Sequence, residues 1–405
     1  MTGRWLTILG IGEDGAAGLP PAARMVVEQA ALVVGGVRHL ALADALIRGE
    51  RLAWPTPMAD AIPAILARRP DPVVVLASGD PYHYGVGTML GRHVPMAQTL
   101  CLPGPSAFSL ACARLGWALQ DCATISFCGR PVEALTPLLH PNARVLALSA
   151  DAATPALVAA LLAGSGFGAS TLHLLEALGG PRERIRSSTA GEFGVLDAHP
   201  LNLLAIEVAA ARGVSPIHLA GGLPDDAFEH DGQITKREIR AVTLSALAPR
   251  RGERLWDIGC GSGSVGIEWM LRHPANHAIG IEADPARAAR AARNAGSLGV
   301  SGLRVVHGTA PDALAGLPPP DAVFIGGGAH EPGVLDAAWS ALPGEGRLVV
   351  NAITIESEAA LLAARARLGG TLTRLSVERL DGVGRMHGYR PAMTVTQFVA
   401  MKPWR

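Results

Sequence analysis

Two hexapeptides narrow the folds open to this chain. Gly10-Ile11-Gly12-Glu13-Asp14-Gly15 and Gly261-Ser262-Gly263-Ser264-Val265-Gly266 both match G-x-G-x-x-G. Each follows a strand-like run, at 5–9 and 254–258, and precedes a longer helix-like one. Strand, glycine turn and helix form the opening unit of a crossover sheet, so two α/β domains are expected. The 405 residues suffice for both.

The rhythm continues from each loop. In the first half, Pro20 and Pro21 open a helix through Ala31, and strands are expected at 32–34, 73–77, 144–148 and 203–208 in a largely parallel sheet. Residues 152–175 carry no charge, but Pro155 and the turn cluster 164–168 split them into helix, turn and strand, which argues against a membrane span. In the second half, helices are expected through Leu271 and at 285–297. Strands are expected at 254–258, 278–282, 303–307, 322–325 and 347–351, and two more at 372–378 and 394–401 are joined by a long loop. That pattern is a doubly wound, Rossmann-like sheet with one antiparallel strand. Residues 213–223, with Gly221 and Gly222, read as a linker between domains at 1–212 and 224–405.

Lys+Arg and Asp+Glu both total 35, so nothing suggests bulk positive charge for holding nucleic acid or an anionic membrane. Only Lys236 and Lys402 are lysines; the arginine excess fits either a biased genome or carboxylate-rich ligands. The five cysteines form no C-x-x-C pair, so free thiols in a reducing compartment and no metal site are expected. With no basic n-region, the cytoplasm is the expected location.

The acids around the loops decide what they hold. A pyrophosphate at a helix N-terminus calls for backbone N–H groups without nearby carboxylates. Glu13 and Asp14 lie inside the first loop, and Asp257 ends the strand before the second. A carboxylate there suits a ligand with an ammonium group and no phosphate, such as S-adenosylmethionine. Glu282, closing the next strand, can accept the ribose hydroxyls; nicotinamide sites use the same position, so only the pair Asp257 and Glu282 discriminates. A nicotinamide-linked oxidoreductase with two Rossmann-like domains is the competing class.

Further motifs carry resemblances. Thr235-Lys236-Arg237-Glu238-Ile239-Arg240, His307-Gly308-Thr309-Ala310-Pro311-Asp312, Ile325-Gly326-Gly327-Gly328 and Val350-Asn351-Ala352-Ile353-Thr354-Ile355-Glu356 occur in that order. Over about 224–401 the second half resembles class I methyltransferases, most closely their precorrin-methylating branch. Val34-Gly35-Gly36-Val37-Arg38-His39, Ser78-Gly79-Asp80-Pro81, Pro103-Gly104-Pro105-Ser106 and Cys128-Gly129-Arg130 mark the first half. Over about 4–210 it resembles the tetrapyrrole methylases, with Glu13-Asp14-Gly15 where that family has Pro-Gly-Asp. Fused in this order, the halves resemble the bifunctional precorrin methyltransferases of cobalamin biosynthesis.

The resemblance implies one S-adenosyl-L-methionine per domain and a precorrin tetrapyrrole substrate. Methylation at carbon 5 falls to the first half; methylation at carbon 15 and decarboxylation of the ring C acetate fall to the second. No nucleic-acid or membrane partner is implied, and a homo-oligomer through the C-terminal domain is. By position in the motifs, Glu13, Ser78, Gly79, Asp80, His83, Ser106 and Ala107 are cofactor candidates in the first half. In the second they are Thr235, Asp257, Gly259, Cys260, Gly261, Ser262, Gly263, Glu282, Thr309 and Ala310. Arg38, His39, Arg130, Arg237, Arg385 and His387 are candidates for substrate carboxylates, or else solvated surface charges. Asn351, Glu356 and His330 are catalytic candidates; capping of the helix after Thr354 is the plainer role for the first two, and packing for Cys260. A non-catalytic tetrapyrrole carrier and a methyltransferase acting on RNA or protein are further alternatives.

Overall fold

The computed structural model of the chain describes residues 3–404. The backbone divides into two compact units, one of Met1–Val132 with Leu138–Val214, the other of Ser215–Arg405 with Glu133–Pro137.

The first unit holds two five-stranded sheets. Strands β1 (Leu6–Ile11), β2 (Leu32–Gly35), β3 (Glu50–Ala53), β4 (Val73–Ser78) and β5 (Thr99–Leu102) lie in the order β3-β2-β4-β1-β5. All neighbours here are parallel. β4 is apolar from Val73 to Ala77 because both its faces are covered: Val73 and Val75 pack on one side of the sheet, Val74 and Leu76 on the other. Gly10 sits where a Cβ would fall 1.8 Å from the carbonyl oxygen of Gly79 and 2.5 Å from the Gly104 nitrogen. The loops after β1, β4 and β5 therefore meet at the carboxyl edge of the sheet.

The second sheet comprises β6 (Cys122–Ser126), β7 (Arg144–Leu148), β8 (Thr171–Glu176), β9 (Arg184–Thr189) and β10 (Asn202–Glu207), in the order β6-β7-β10-β8-β9. Only β6 and β7 run parallel. The other pairings are antiparallel, which corrects the expectation of a largely parallel first half. The connection from β8 to β9 spans only 177–183, too short for a crossover, so those two strands must reverse.

The second unit is built on a seven-stranded sheet of β11 (Arg254–Ile258), β12 (His277–Glu282), β13 (Arg304–His307), β14 (Ala322–Ile325), β15 (Arg347–Ala352), β16 (Thr371–Leu375) and β19 (Val395–Met401). The order is β13-β12-β11-β14-β15-β19-β16, and β19 alone is reversed, antiparallel to both β15 and β16. Where a long loop was expected between the last two strands, the chain forms a hairpin of β17 (Glu378–Val383) and β18 (Met386–Pro391). No helix among the described residues is long and apolar enough to cross a membrane, and no cluster of His, Cys, Asp and Glu suited to a metal occurs among them.

Candidate functional sites

In the first unit the carboxyl ends of β1 and β4 face the second sheet across a cavity of about 550 Å3. Glu13, Arg38, His39, Ser78, Gly79, Asp80, His83, Ser106 and Ala107 all line it. Gly79 has φ +52°, and a Cβ there would meet the Pro105 carbonyl oxygen at 2.5 Å, so only glycine lets the two loops close. Ser106 caps the helix Ala107–Leu115, its hydroxyl accepting from the Ser109 N–H at 3.1 Å. The ring of His83 packs on Phe108, centroids 4.7 Å apart, and on Tyr84 at 5.4 Å. Arg130 lies outside the lining, its guanidinium 5.8 Å from the Tyr84 ring centroid.

Pairing changes what Arg38 and His39 can offer. Arg38 forms an ion pair with Glu13 and donates to Ser78 Oγ at 2.9 Å. His39 Nε2 is 2.8 Å from Ser78 Oγ. Burial, reinforced by the Arg38 charge, pushes His39 down to about 4, so at neutral pH it is an uncharged hydrogen-bonding group rather than a cation for carboxylates. Glu13 is already neutralised by Arg38.

In the second unit Asp257, the last residue but one of β11, is 1% exposed. Its Oδ2 accepts from the Gly266 N–H at 2.9 Å, while Oδ1 has no protein donor. Burial pushes its carboxyl up to about 7; the Gly266 N–H opposes the rise and the Glu282 charge adds to it. Gly259, Gly261 and Gly263 follow with φ of +70°, +57° and +77°, a loop that side-chain-bearing residues resist. Glu282 holds this loop, accepting from the Gly261 N–H at 2.8 Å and the Asp284 N–H at 3.0 Å. Cys260 is buried against Gly280, where a Cβ would fall 2.8 Å from its Sγ, and burial drives its thiol far above the ordinary range. It is a packing residue with no thiolate to offer. Ser262 is buried with an unpartnered hydroxyl.

The loop carrying Thr309 and Ala310 follows β13, and its Gly308 N–H donates to the Glu282 carbonyl at 2.9 Å. Thr309 is exposed and Ala310 packs on the core. Thr235 lends its carbonyl to Arg240, and the neighbouring Gln233 carbonyl faces Gly261.

The remaining candidates are spread more widely. Asn351 is engaged on both amide atoms: Nδ2 donates to Thr243 Oγ1 at 2.9 Å, and Oδ1 accepts from Gln397 at 3.0 Å. Glu356 is exposed in the first turn of the helix Ile355–Leu368, which Thr354 caps by accepting from the Ser357 N–H. His330 is exposed, 3.2 Å from Ser357 Oγ and 3.3 Å from Glu331. Arg237 is exposed and donates to the Gly222 carbonyl at 3.1 Å, while Arg385 and His387 stand exposed on the β17–β18 hairpin. The motif residue that the sequence reading passed over is Arg240, fully buried and paired with Glu268 at 2.6 Å. Also passed over were Ser149 and Asn202, which line the first cavity. A polar residue at the end of an apolar strand was their only signal.

Both sites fit an adenosyl ligand with an ammonium tail. Each sets a close-packed glycine loop at the carboxyl edge of a parallel sheet, and each holds buried polar atoms with no protein partner: His39 Nδ1, Ser149 Oγ and Asn202 Oδ1 in the first, Asp257 Oδ1 and Ser262 Oγ in the second. Fold and sites together define a fused pair of methyltransferase domains of different classes.

Similarity to known proteins agrees. Residues 6–194 match the family described as Tetrapyrrole (Corrin/Porphyrin) Methylases, and residues 226–402 the Precorrin methyltransferase domain. A Sinorhizobium sp protein named precorrin-6Y C(5,15)-methyltransferase (decarboxylating) is 56% identical over 394 residues, covering 97% of this chain and 95% of that one. The protein of that name from Mycobacterium tuberculosis is 41% identical over 403 residues, covering 98% and 100%. Among solved structures, the C-terminal domain of precorrin-6Y C5,15-methyltransferase from Rhodobacter capsulatus is 46% identical, with 46% of this chain and all of that one covered and a TM-score of 0.44. The chain belongs to the precorrin-6Y C(5,15)-methyltransferase (decarboxylating) family. Nothing in that membership supports the oxidoreductase reading.

Proposed function

We propose that the chain methylates a precorrin at carbon 5 in its first unit and at carbon 15 in its second, with loss of the ring C acetate carboxyl as carbon dioxide. The observation that carries this reading is the presence of two separate glycine-lined sites, one per unit, each with buried polar atoms left for a ligand. One S-adenosylmethionine per unit follows, and bound there it supplies a methyl group on a sulfonium sulfur.

The chain's own residues bind, orient and exclude water. In the second unit Asp257 Oδ1 takes the ligand's ammonium, Glu282 the ribose hydroxyls, and Gly259, Gly261 and Gly263 let backbone approach the tail. Thr235, Cys260, Ser262, Thr309 and Ala310 complete its walls. In the first unit Gly79, Asp80, His83, Ser106 and Ala107 hold the ligand, and the Glu13–Arg38 pair with His39 and Ser78 closes its rim. Arg130 in the first unit, and Arg237, Arg385 and His387 in the second, meet substrate carboxylates; His330, Asn351 and Glu356 border the second reaction site. A meso carbon of the reduced macrocycle is enamine-like, so these residues would have only to hold it in line with the activated methyl group that the bound ligand would supply, with water excluded. In the decarboxylation the carbon–carbon pair passes into the ring system, and the resulting carbanion equivalent takes up a proton.

The domain division at 213–223, action in the cytoplasm and a homo-oligomer built through the second unit belong to the same reading. The last is supported by Leu380, Val383, Met386 and Tyr389, all exposed on the hairpin. The decisive experiment supplies precorrin and methyl-labelled S-adenosylmethionine to the whole chain and analyses products by mass. Two labelled methyl groups gained and one carbon dioxide lost per macrocycle are expected; a single methyl group would sink the two-site reading.

A further inference from the structure

We propose that Ser149 and Asn202 read the base of the adenosyl ligand in the first unit, the serine as donor and the asparagine as acceptor. The inference rests on the reading that this cavity holds such a ligand. Asn202 is 7% exposed and Ser149 9% exposed, and both line the cavity. The orientation of the Asn202 amide is fixed by its neighbours, because Nδ2 donates to the carbonyls of Asp151 at 3.2 Å and His199 at 2.8 Å. Its Oδ1 has no donor in the protein, and Ser149 Oγ has no partner at all.

The strand register places these two atoms together. β7 and β10 are antiparallel with Leu203 opposite Leu148, so Asn202 stands opposite Ser149, and the Ser149 N–H reaches the Asn202 carbonyl at 3.4 Å. Opposed residues on adjacent antiparallel strands project from the same face. Buried polar groups without partners cost stability, so a matched donor and acceptor on one face suit a ligand that completes both.

The surroundings select the ligand group. The other cavity residues contributed by β7, β8, β10 and their flanking turns are apolar, with Leu148, Leu175, Leu178, Leu201 and Leu203 the largest. A charged ammonium group would be poorly solvated there, whereas a flat purine would not. Adenine offers an amino donor next to a ring-nitrogen acceptor. In nucleic-acid recognition one asparagine amide makes both contacts. Here the Asn202 Nδ2 is spent on carbonyls, and the Ser149 hydroxyl supplies the missing donor.

The test is calorimetric titration of the whole chain with S-adenosylhomocysteine and with S-inosylhomocysteine, in which oxygen replaces the amino group. Ser149→Ala removes only an unpartnered hydroxyl, so the fold loses no hydrogen bond. At one neutral hydrogen bond each, Ser149→Ala and Asn202→Leu should weaken one of two adenosyl sites by about threefold to tenfold and leave the other unchanged. The inosyl ligand should bind that site of the unaltered chain more weakly, and Asn202→Leu should weaken it no further. Two sites with neither variant altering affinity, or with the inosyl ligand bound equally well, would overturn the pair alone. A single adenosyl site that Asp257→Asn abolishes would overturn the two-site reading, and the pair with it.

Discussion

Asp257 joins binding to acidity through one buried carboxyl. In the unfolded chain it titrates near the ordinary aspartate value; in the folded chain burial holds it at about 7. The folded state therefore binds the extra proton between these values, and stability falls as pH rises from about 4 to about 7. A shift of that size is on the order of 4 kcal/mol. Asp257→Asn should flatten this slope in a series of melting curves and leave the protein at least as stable as the parent at pH 8. Affinity of the second site for S-adenosylhomocysteine should behave oppositely in the parent, rising through about pH 7 as the carboxylate forms to meet an ammonium, and should lose that dependence in the variant. His39 shows the reverse sign. Its folded value of about 4 lies below the usual 6.5, so the neutral ring stabilises the fold above that range, and the contribution is lost as pH falls from about 6.5 to about 4. His39→Asn should remove that acid-side loss from the melting profile.

At the scale of elements, the helix Arg237–Leu247 is pinned by one residue. Arg240 donates to Glu268, Asp225 and the carbonyls of Thr235 and Leu223, and its guanidinium lies 4.8 Å from the Phe228 ring centroid. Glu268 in turn accepts from the N–H groups of Gly222 and Leu223 at 2.7 and 2.9 Å. Arg240→Met would leave that carboxylate buried without its cation, at a cost of roughly 3–5 kcal/mol. A fall in the urea midpoint of the second unit checks this. The order of elements around this helix is legible in the sequence because β12, β14 and β15 are buried on both faces and carry apolar runs at 278–281, 322–325 and 348–350, while β11 is marked by Leu255, Trp256 and Ile258 ahead of its glycine loop. β9 was not legible: Ile185 is the one apolar residue in Arg184–Thr189 and no residue of the strand is buried, so no apolar run announces it. The β17–β18 hairpin hid for the same reason, its residues being almost all exposed. Glycine loops and strand-end acids marked where each candidate site lies. The Glu13–Arg38 pairing and the Ser149–Asn202 register depend on residues distant in sequence, and no local pattern encodes them.

For the whole molecule, the separation of the sites predicts separable chemistry. Gly10→Val would drive a side chain into the Gly79 carbonyl and distort the first site while leaving the second unit's sheet untouched. Its product should carry the methyl at carbon 15 only. Asp257→Asn should give the complementary product, methylated at carbon 5 alone, and mass spectrometry with fragment analysis distinguishes the two. If either variant abolished both methylations while both units remained folded, the sites would not act independently. Removing residues 378–391 tests the proposed homo-oligomer: light scattering should report a smaller particle than the parent, with the seven-stranded sheet intact by circular dichroism, and an unchanged particle size would overturn assembly through the hairpin.

The placement of β19 between β15 and β16 also bears on synthesis at the ribosome. Every other neighbour in that sheet is available once residue 352 has emerged, but β16 has no partner until 395–401 follow. Until then the nascent chain carries an open β15 edge and an unpaired strand, both templates for pairing with another polypeptide. The first unit can complete its two sheets long before, so translational pausing within 376–394 would prolong exposure of the second unit alone.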